Sequence, residues 1–273
     1  MKLNFKKSGT GPPLVILHGL FGSLDNWFSI AKELVDHYTL YLVDQRNHGD
    51  SPHSNEWNYG VMVEDLRELL DAEGLDSVFL MGHSMGGKTV MNFAVQYPER
   101  VRKLIVGDIA PRHYPIHHQV ILEGLNALDL SQLQSRKEAD DLLASYIPEL
   151  GIRQFLLKSL GRDGNGFAWK INLPVITQHI EEVGKALDEG TVLPHAGRSQ
   201  ADDAIHALKV DFPSQFSNKE EFLIANNVAN NELVPNETCN SLSILLDVKV
   251  VSLVVDPDSS CRVQEVVSSS LRY

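Results

Sequence analysis

The chain of 273 residues has an ordinary globular composition, with 43% apolar and 22% charged residues, and its length fits one or two domains. That composition excludes a disordered chain, a collagen and a coiled-coil rod. The net charge of −12 argues against nucleic-acid partners and anionic membrane surfaces, since both need clustered Lys and Arg. The two cysteines, Cys239 and Cys261, are too few for a disulfide framework and cannot form a structural zinc site alone.

Short apolar runs alternate with amphipathic helical patterns through residues 1–110. The runs predict strands at Leu14–Leu17, Thr39–Val43, Val78–Met81 and Lys103–Asp108, and the patterns predict helices at Asn26–Leu34, Met62–Ala72 and Gly86–Tyr97. Short, continuously apolar strands are typical of a sheet that is buried on both faces. The sequence therefore predicts an α/β fold, with a mostly parallel central sheet and helices on both faces.

The pattern changes after Pro111. From about Ile116 to Leu187 it is helical with little strand signal, and the run 161–166, Gly-Arg-Asp-Gly-Asn-Gly, predicts a loop. A helical insertion of this length predicts a cap over the carboxyl edge of the sheet. We therefore divide the chain into an N-terminal core part (1–111), a helical cap (112–188) and an atypical C-terminal core part (189–273).

The run 82–86, Gly-His-Ser-Met-Gly, fits the G-x-S-x-G nucleophile elbow. It lies between a predicted strand and a predicted helix, which is the setting that this motif requires. The alternative, a chance glycine-rich turn, would not need a strand before it and a helix after it. Glycine at both ends permits a sharp turn and close backbone packing. Such a turn exposes Ser84 as a nucleophile and directs the Met85 N–H at a developing oxyanion.

The run 18–22, His-Gly-Leu-Phe-Gly, follows the first of the central strands. A loop in this position can supply the second N–H of an oxyanion hole, from Leu20 or from Phe21. We interpret His18 as a buried structural histidine and not as the catalytic base. The segment 44–51 follows the next strand and predicts a structural loop, with Asp44 and Arg46 in local polar contacts.

Further short motifs accompany these runs in a fixed order: Asn58-Tyr59, Gly82 to Lys88, Asp108-Ile109-Ala110-Pro111 and Phe155 to Ser159. With them the chain resembles the YbfF-type esterases, small bacterial members of the α/β-hydrolase superfamily, over about residues 1–190. The resemblance implies the α/β-hydrolase fold with an inserted helical cap. It also implies hydrolysis of carboxylic esters or acyl thioesters, with no metal and no organic cofactor.

Two more site residues come from this resemblance. Asp108 ends a predicted strand at the edge where active-site groups of α/β sheets gather, and it matches the family's acid, which orients the base. The family also carries a Gly-Gly-x-Ser loop after the next strand. Here Gly197-Arg198-Ser199 is the nearest match, so Ser199 is a candidate supporting residue.

The family's catalytic histidine, which lies in a glycine-containing loop after the last strand, has no counterpart in this chain. Gly197 is the last glycine and His206 the last histidine, so the final 76 residues contain no glycine. His195 and His206 are candidates for the base, although neither matches the family's position. Either the tail is divergent and recruits another histidine, or it is not the family's sequence, as a frameshift or fusion would produce. Its run Val248–Val255 still predicts a strand.

The sequence thus predicts a serine hydrolase in which Ser84 attacks a short-chain carboxylic ester or an acyl-CoA thioester and forms an acyl-enzyme. A C–C bond hydrolase or a haloperoxidase-like enzyme on the same scaffold stays open. So does a catalytically impaired hydrolase, or binding module, that lacks the histidine. No signal peptide and no membrane span are expected, and we predict a cytoplasmic monomer or small homo-oligomer.

Overall fold

A six-stranded sheet organises the computed structural model, which describes residues 1–164 and 166–187 and the backbone of a strand at 252–255. Its strands are β1 (Phe5–Ser8), β2 (Pro13–Leu17), β3 (Thr39–Val43), β4 (Val78–His83), β5 (Val101–Gly107) and β8 (Ser252–Val255). Across the sheet they have the order β1-β3-β2-β4-β5-β8. The pairs β2–β3, β2–β4 and β4–β5 are parallel, while β1 pairs antiparallel with β3 and β8 antiparallel with β5. The predicted mostly parallel sheet is confirmed.

The central strands form where the apolar runs predict them. Every residue of Leu14–Leu17 and Leu40–Val43 is buried, as expected of strands that are covered on both faces. β4 extends to His83, two residues beyond the prediction. β1 was not predicted, because its exposed lysines, Lys6 and Lys7, give an edge strand little apolar signal.

Helices cover both faces of this sheet. A 3-10 turn (Leu24–Trp27) leads into α1 (Phe28–Leu34), and these are followed by α2 (Tyr59–Ala72) and α3 (Met85–Gln96), with a further 3-10 turn at Pro98–Arg100. Asn58 caps α2 by accepting a hydrogen bond from the Val61 N–H at 3.0 Å. The predicted apolar stripes face inward, since Trp27 and Leu34 of the first pattern and Val63 and Leu66 of the second are buried. All three predicted helices are confirmed.

We call residues 112–187 the cap segment. It contains α4 (Gln119–Ala127), α5 (Arg136–Leu143), α6 (Leu150–Leu157), α7 (Leu173–Gln178) and α8 (Glu181–Gly184). It also contains a hairpin of β6 (Leu160–Asp163) and β7 (Gly166–Trp169). The expectation of a strand-free segment with a loop over 161–166 is wrong, because the loop is only the turn of this hairpin. Its strands are too short for a clear period-2 pattern.

The cap segment packs over the loops at the carboxyl ends of the central strands. One apolar cluster combines Leu20, Phe21 and Met85 of these loops with cap residues such as Leu122 and Ile176. Separate clusters fill the space between the sheet and its helices. The cap segment therefore lies next to the turn that carries Ser84.

Ser252–Val255 confirms part of the predicted strand Val248–Val255. It pairs antiparallel with β5, with Leu104 opposite Val255. Within the described part of the chain, no helix is long and apolar enough to cross a bilayer.

Candidate active site

Backbone strain is concentrated at the carboxyl ends of four neighbouring strands. The described non-glycine residues with positive φ are Phe21 (61°), Asn47 (64°), Ser84 (51°) and Asp108 (55°). They follow β2, β3, β4 and β5 respectively. This conformation is costly for residues with a side chain, and such strain gathers where a site imposes it. The sheet edge that holds the predicted nucleophile and acid is therefore also the strained edge.

The turn at residues 82–86, which we call the nucleophile turn because it carries the predicted nucleophile Ser84, is held by close backbone approaches. A Cβ on Gly82 would lie 2.3 Å from the Gly86 carbonyl oxygen, and a Cβ on Gly86 would lie 2.6 Å from the His18 carbonyl oxygen. The Ser84 N–H donates to the Gly107 carbonyl at 2.9 Å, and its carbonyl accepts from the Lys88 N–H at 3.0 Å. Ser84 is half-buried at the start of α3, with φ 51° and ψ −115°. Its backbone position is thus set from both sides.

The loop after β2 lies directly against this turn. A Cβ on Gly19 would lie 3.3 Å from Ser84 Cβ. Two hydrogen bonds of the His18 ring fix the start of this loop. Its Nε2 accepts from the Gln45 N–H at 3.0 Å, so Nδ1 carries the proton and donates to the Gly19 carbonyl at 2.8 Å. Burial lowers the pKa of His18 to about 4, and a positive charge on His83 would act in the same direction. His18 is therefore a neutral structural histidine, as predicted.

A second buried histidine engages one of the two oxyanion-hole candidates. The Phe21 N–H donates to His48 Nε2 at 3.3 Å, while His48 Nδ1 lies 3.0 Å from the Arg46 carbonyl oxygen, to which it donates. Burial lowers the pKa of His48 to about 3, so this ring too is neutral. Because the Phe21 N–H is occupied, Leu20 is the donor that this loop can still offer to a ligand.

The loop after β3 is structural, as predicted. Asp44 accepts from the Leu24 N–H at 2.7 Å and from the Asp50 N–H at 2.9 Å. Arg46 makes a buried two-pronged ion pair with Asp65 of α2, at 2.6 and 2.9 Å. These bonds fix the loop that carries His48 and, through it, the position of the loop after β2.

Asp108 contacts His83, which no sequence motif marks as a site residue. Its Oδ2 lies 3.6 Å from His83 Nε2, and both side chains are partly exposed, at 40% and 29%. The contact follows from register, because His83 pairs with Gly107 across β4 and β5. The sequence places His83 beside Ser84, but it does not reveal which strand neighbours β4. The pairing with Asp108 was therefore hidden.

The six histidines that follow Asp108 in the chain fall into two sets. His113, His117, His118 and His179 lie in the cap segment. Of these, His118 packs its ring edge-on against Phe21, with 6.1 Å between centroids, and its buried Nδ1 has no hydrogen-bond partner among the described residues. Burial lowers the pKa of His118, with a smaller contribution from His117. His195, His206 and Ser199 lie outside the described residues.

Comparison with known proteins places this geometry in a family. A family model described as the alpha/beta hydrolase fold matches residues 12–142. Esterase YbfF of Escherichia coli (strain K12) is 41% identical over 182 residues, which cover 64% of this chain and 70% of that protein. The chain belongs to the α/β-hydrolase family. Its resemblance to the YbfF-type esterases is thereby confirmed.

Other members of the α/β-hydrolase family extend the comparison. The mouse sn-1-specific diacylglycerol lipase ABHD11 is 43% identical over 182 residues, which cover 64% of this chain but only 59% of that protein. A solved structure titled marine microorganism esterase superposes with a TM-score of 0.69 at 44% identity, covering 71% of this chain and 77% of that one. The chain thus spans less than two thirds of the length of the mouse lipase and 70% of the length of the Escherichia coli esterase.

Proposed function

We propose that this α/β-hydrolase is a serine hydrolase that cleaves short-chain carboxylic esters or acyl thioesters through an acyl-enzyme on Ser84. The observation that carries the proposal is the strained turn at Ser84, fixed between Gly82 and Gly86 at the head of α3. A serine needs no positive φ to pack or to cap a helix, whereas a nucleophile exposed at a sheet edge does. Relatives named esterase and lipase support the same reaction class.

The oxyanion hole is assigned to two backbone donors. Met85 is the first residue of α3, so its N–H has no acceptor within the helix and lies at the positive end of the helix dipole. Leu20 supplies the second N–H, because the neighbouring Phe21 N–H is bonded to His48. Two such donors stabilise the negative oxygen that forms as Ser84 Oγ bonds to the acyl carbon.

The proton chemistry needs a base oriented by Asp108. The base takes the proton of Ser84 Oγ and passes it to the leaving alkoxide or thiolate as the acyl bond breaks. It then takes a proton from the water that attacks the acyl-enzyme, and Ser84 Oγ recovers a proton as the carboxylic acid leaves. Among the described residues, His83 is favoured by its contact with Asp108, and His118 by its unpaired Nδ1 beside the loop after β2.

The finer features of the proposal come from the sequence. They are acyl-CoA as an alternative acyl donor, supporting contacts from Ser199, a cytoplasmic location, and a monomer or small homo-oligomer. The YbfF-type resemblance and the apolar packing of the cap segment over the loops favour a small acyl group as the part of the substrate that is recognised.

The nucleophile is tested with a fluorophosphonate probe and with turnover of p-nitrophenyl acetate. Both need an activated serine, so we expect labelling and turnover in the wild type and neither in Ser84→Ala. Ser145→Ala, which removes an exposed hydroxyl of the cap segment, is the matched control and should behave as wild type. A folded wild-type protein that neither reacts with the probe nor turns over the ester would refute the proposed serine hydrolase.

The base is identified by replacing each candidate histidine with Gln: His83, His118, His195 and His206. A general base contributes about 10²–10⁴-fold, so one variant should lose turnover by that factor while the others keep it. Equal turnover in all four variants would contradict a catalytic base at any of these four positions.

A second function is favoured by one observation: the chain has no histidine after His206, where the family's base is expected. It is a catalytically impaired hydrolase that binds an acyl ligand without cleaving it. Binding of an acyl ester by a wild type that does not react with the probe would support this function over the first.

A further inference from the structure

A buried lysine connects the nucleophile helix to the cap segment. Lys88 lies one helical turn after Ser84 on α3, and 0% of its surface is exposed. Its Nζ donates to the Arg112 carbonyl at 2.6 Å and, by a shorter bond, to the Lys185 carbonyl. Its own N–H donates to the Ser84 carbonyl at 3.0 Å. One residue therefore contacts both the nucleophile turn and two distant backbone positions.

These two backbone positions lie near the two ends of the cap segment. Residues 110–114, which we call the incoming connection, contain Arg112, and residues 183–187, which we call the outgoing connection, contain Lys185. The two connections also bond to each other: the Tyr114 N–H donates to the Gly184 carbonyl, and the Leu187 N–H donates to the Pro111 carbonyl, both at 2.8 Å. Lys88 thus holds the pair at the point where the cap segment begins and ends.

The choice of lysine at this position needs an explanation. Among the described residues, the ammonium of Lys88 bonds to carbonyl oxygens and to no carboxylate, and burial together with the like charge of Arg112 lowers its pKa to about 8. A charged group without a counter-charge is expensive to bury, and an apolar side chain of the same length would fill the space without that cost. What Lys88 offers and an apolar side chain does not is a donor for two buried carbonyls at once.

We propose that Lys88 is a positioning residue that ties both connections of the cap segment to the helix of the nucleophile, and so holds the cap segment over Ser84 for substrate binding. The role in substrate binding rests on the proposed function, whereas the tie itself does not. Because the tie acts on the cap segment and leaves the reacting atoms alone, its loss should weaken substrate binding more than it slows the chemical step.

The tie is tested in the full chain by hydrogen exchange of the backbone amides in 110–114 and 183–187. In Lys88→Met, which keeps the length and removes the donors, we expect exchange to rise about tenfold in both connections, because two buried hydrogen bonds are lost. Tyr59→Phe is the matched control. It removes one bond, from the Tyr59 hydroxyl to the Val183 carbonyl, and should loosen 183–187 alone.

Binding is tested by steady-state turnover of p-nitrophenyl acetate. We expect KM to rise about tenfold in Lys88→Met with kcat nearly unchanged. Lys88→Arg keeps several N–H donors, so its KM should return most of the way to the wild-type value. Should Lys88→Met fail to fold by circular dichroism, Lys88→Gln takes its place in both measurements, because its short amide cannot reach both carbonyls.

The outcomes separate the two proposals. Exchange in the folded Met or Gln variant that stays at the wild-type rate in either connection would overturn the tie. A fall in kcat with KM unchanged would overturn the role in substrate binding. Raised exchange together with a wild type that shows no turnover would contradict the proposed serine hydrolase and would support the tie on its own.

Discussion

Replacing Gly86 by Ala probes how closely α3, the helix that follows Ser84, approaches β2. The added Cβ would lie 2.6 Å from the His18 carbonyl oxygen and 2.7 Å from the Leu17 carbonyl oxygen, whereas ordinary van der Waals contacts begin at 3.4 Å. Both partners are backbone atoms at the end of a buried strand, so neither can swing aside. The head of α3 must therefore shift by most of the missing 0.7–0.8 Å, which is about the difference between these distances.

The free-energy cost follows from two opposing effects. Overpacking a close-packed site costs about 1–3 kcal/mol, and rigid backbone on the other side favours the upper end. Replacing glycine by alanine inside a helix returns about 1 kcal/mol through helix propensity. We expect Gly86→Ala to lower the free energy of unfolding by about 2 kcal/mol. Because Ser84 lies at the same helix end, labelling by the fluorophosphonate probe should fall as well.

Urea denaturation, followed by circular dichroism, measures this change as a shift of the midpoint. Gly151→Ala in α6 is the matched control, since no atom lies within 4 Å of its added Cβ. It should leave the protein equally stable or slightly more stable. If Gly86→Ala unfolds at the wild-type urea concentration and still reacts with the probe, the close approach of α3 to β2 is wrong.

Three further predictions concern the supports of the site. Asp65→Asn leaves the buried Arg46 without its counter-charge and should lower the free energy of unfolding by about 3–5 kcal/mol in urea denaturation. The folded state lowers the pKa of His18 to about 4 and of His48 to about 3, so the unfolded chain binds protons that the folded chain does not. Stability should therefore fall as the pH drops from about 6.5 towards 4, by up to about 1.4 kcal/mol per pH unit for each ring, and less steeply in His48→Gln. Asn58→Ala removes the cap of α2 and should cost about 1 kcal/mol by the same assay.

The control for the buried ion pair is an ion pair on the protein surface. Asp141→Asn breaks the exposed pair with Lys137 and should change the free energy of unfolding by less than about 0.5 kcal/mol. A cost as small for Asp65→Asn would contradict the buried ion pair. A His48→Gln protein whose stability falls with pH as steeply as wild type would contradict a neutral buried ring at this position.

The sequence alone predicts the elements near the nucleophile well. Buried strands such as Thr39–Val43 are short apolar runs, and G-x-S-x-G names Ser84 because few other turns require glycine at both ends. The edge strand β1 and the hairpin of β6 and β7 were missed, because exposed or very short strands carry little periodic signal. A local sequence pattern therefore predicts a strand only where burial of the strand requires a run of apolar residues.

Contacts between separate strands and segments needed the tertiary structure. The sequence predicts Ser84 and Asp108 as separate site residues, because each follows its own strand. It does not predict the contacts between the two strand ends. The pairing of His83 with Asp108 depends on which strands are neighbours and in what register. In the same way, the Phe21 N–H is occupied because a histidine from another loop reaches it.

Composition argues against nucleic-acid partners, and motif spacing indicates the reaction class, because both depend on properties that the sequence itself carries. The hydrogen bonds of Lys88 to two connections of the cap segment join residues that are far apart in the chain, and only packing decides such contacts. The 273 residues therefore determined by themselves where a nucleophile could stand. What surrounds and supports it was decided by the fold, since a charge or a donor acquires its role from the atoms that burial brings to it.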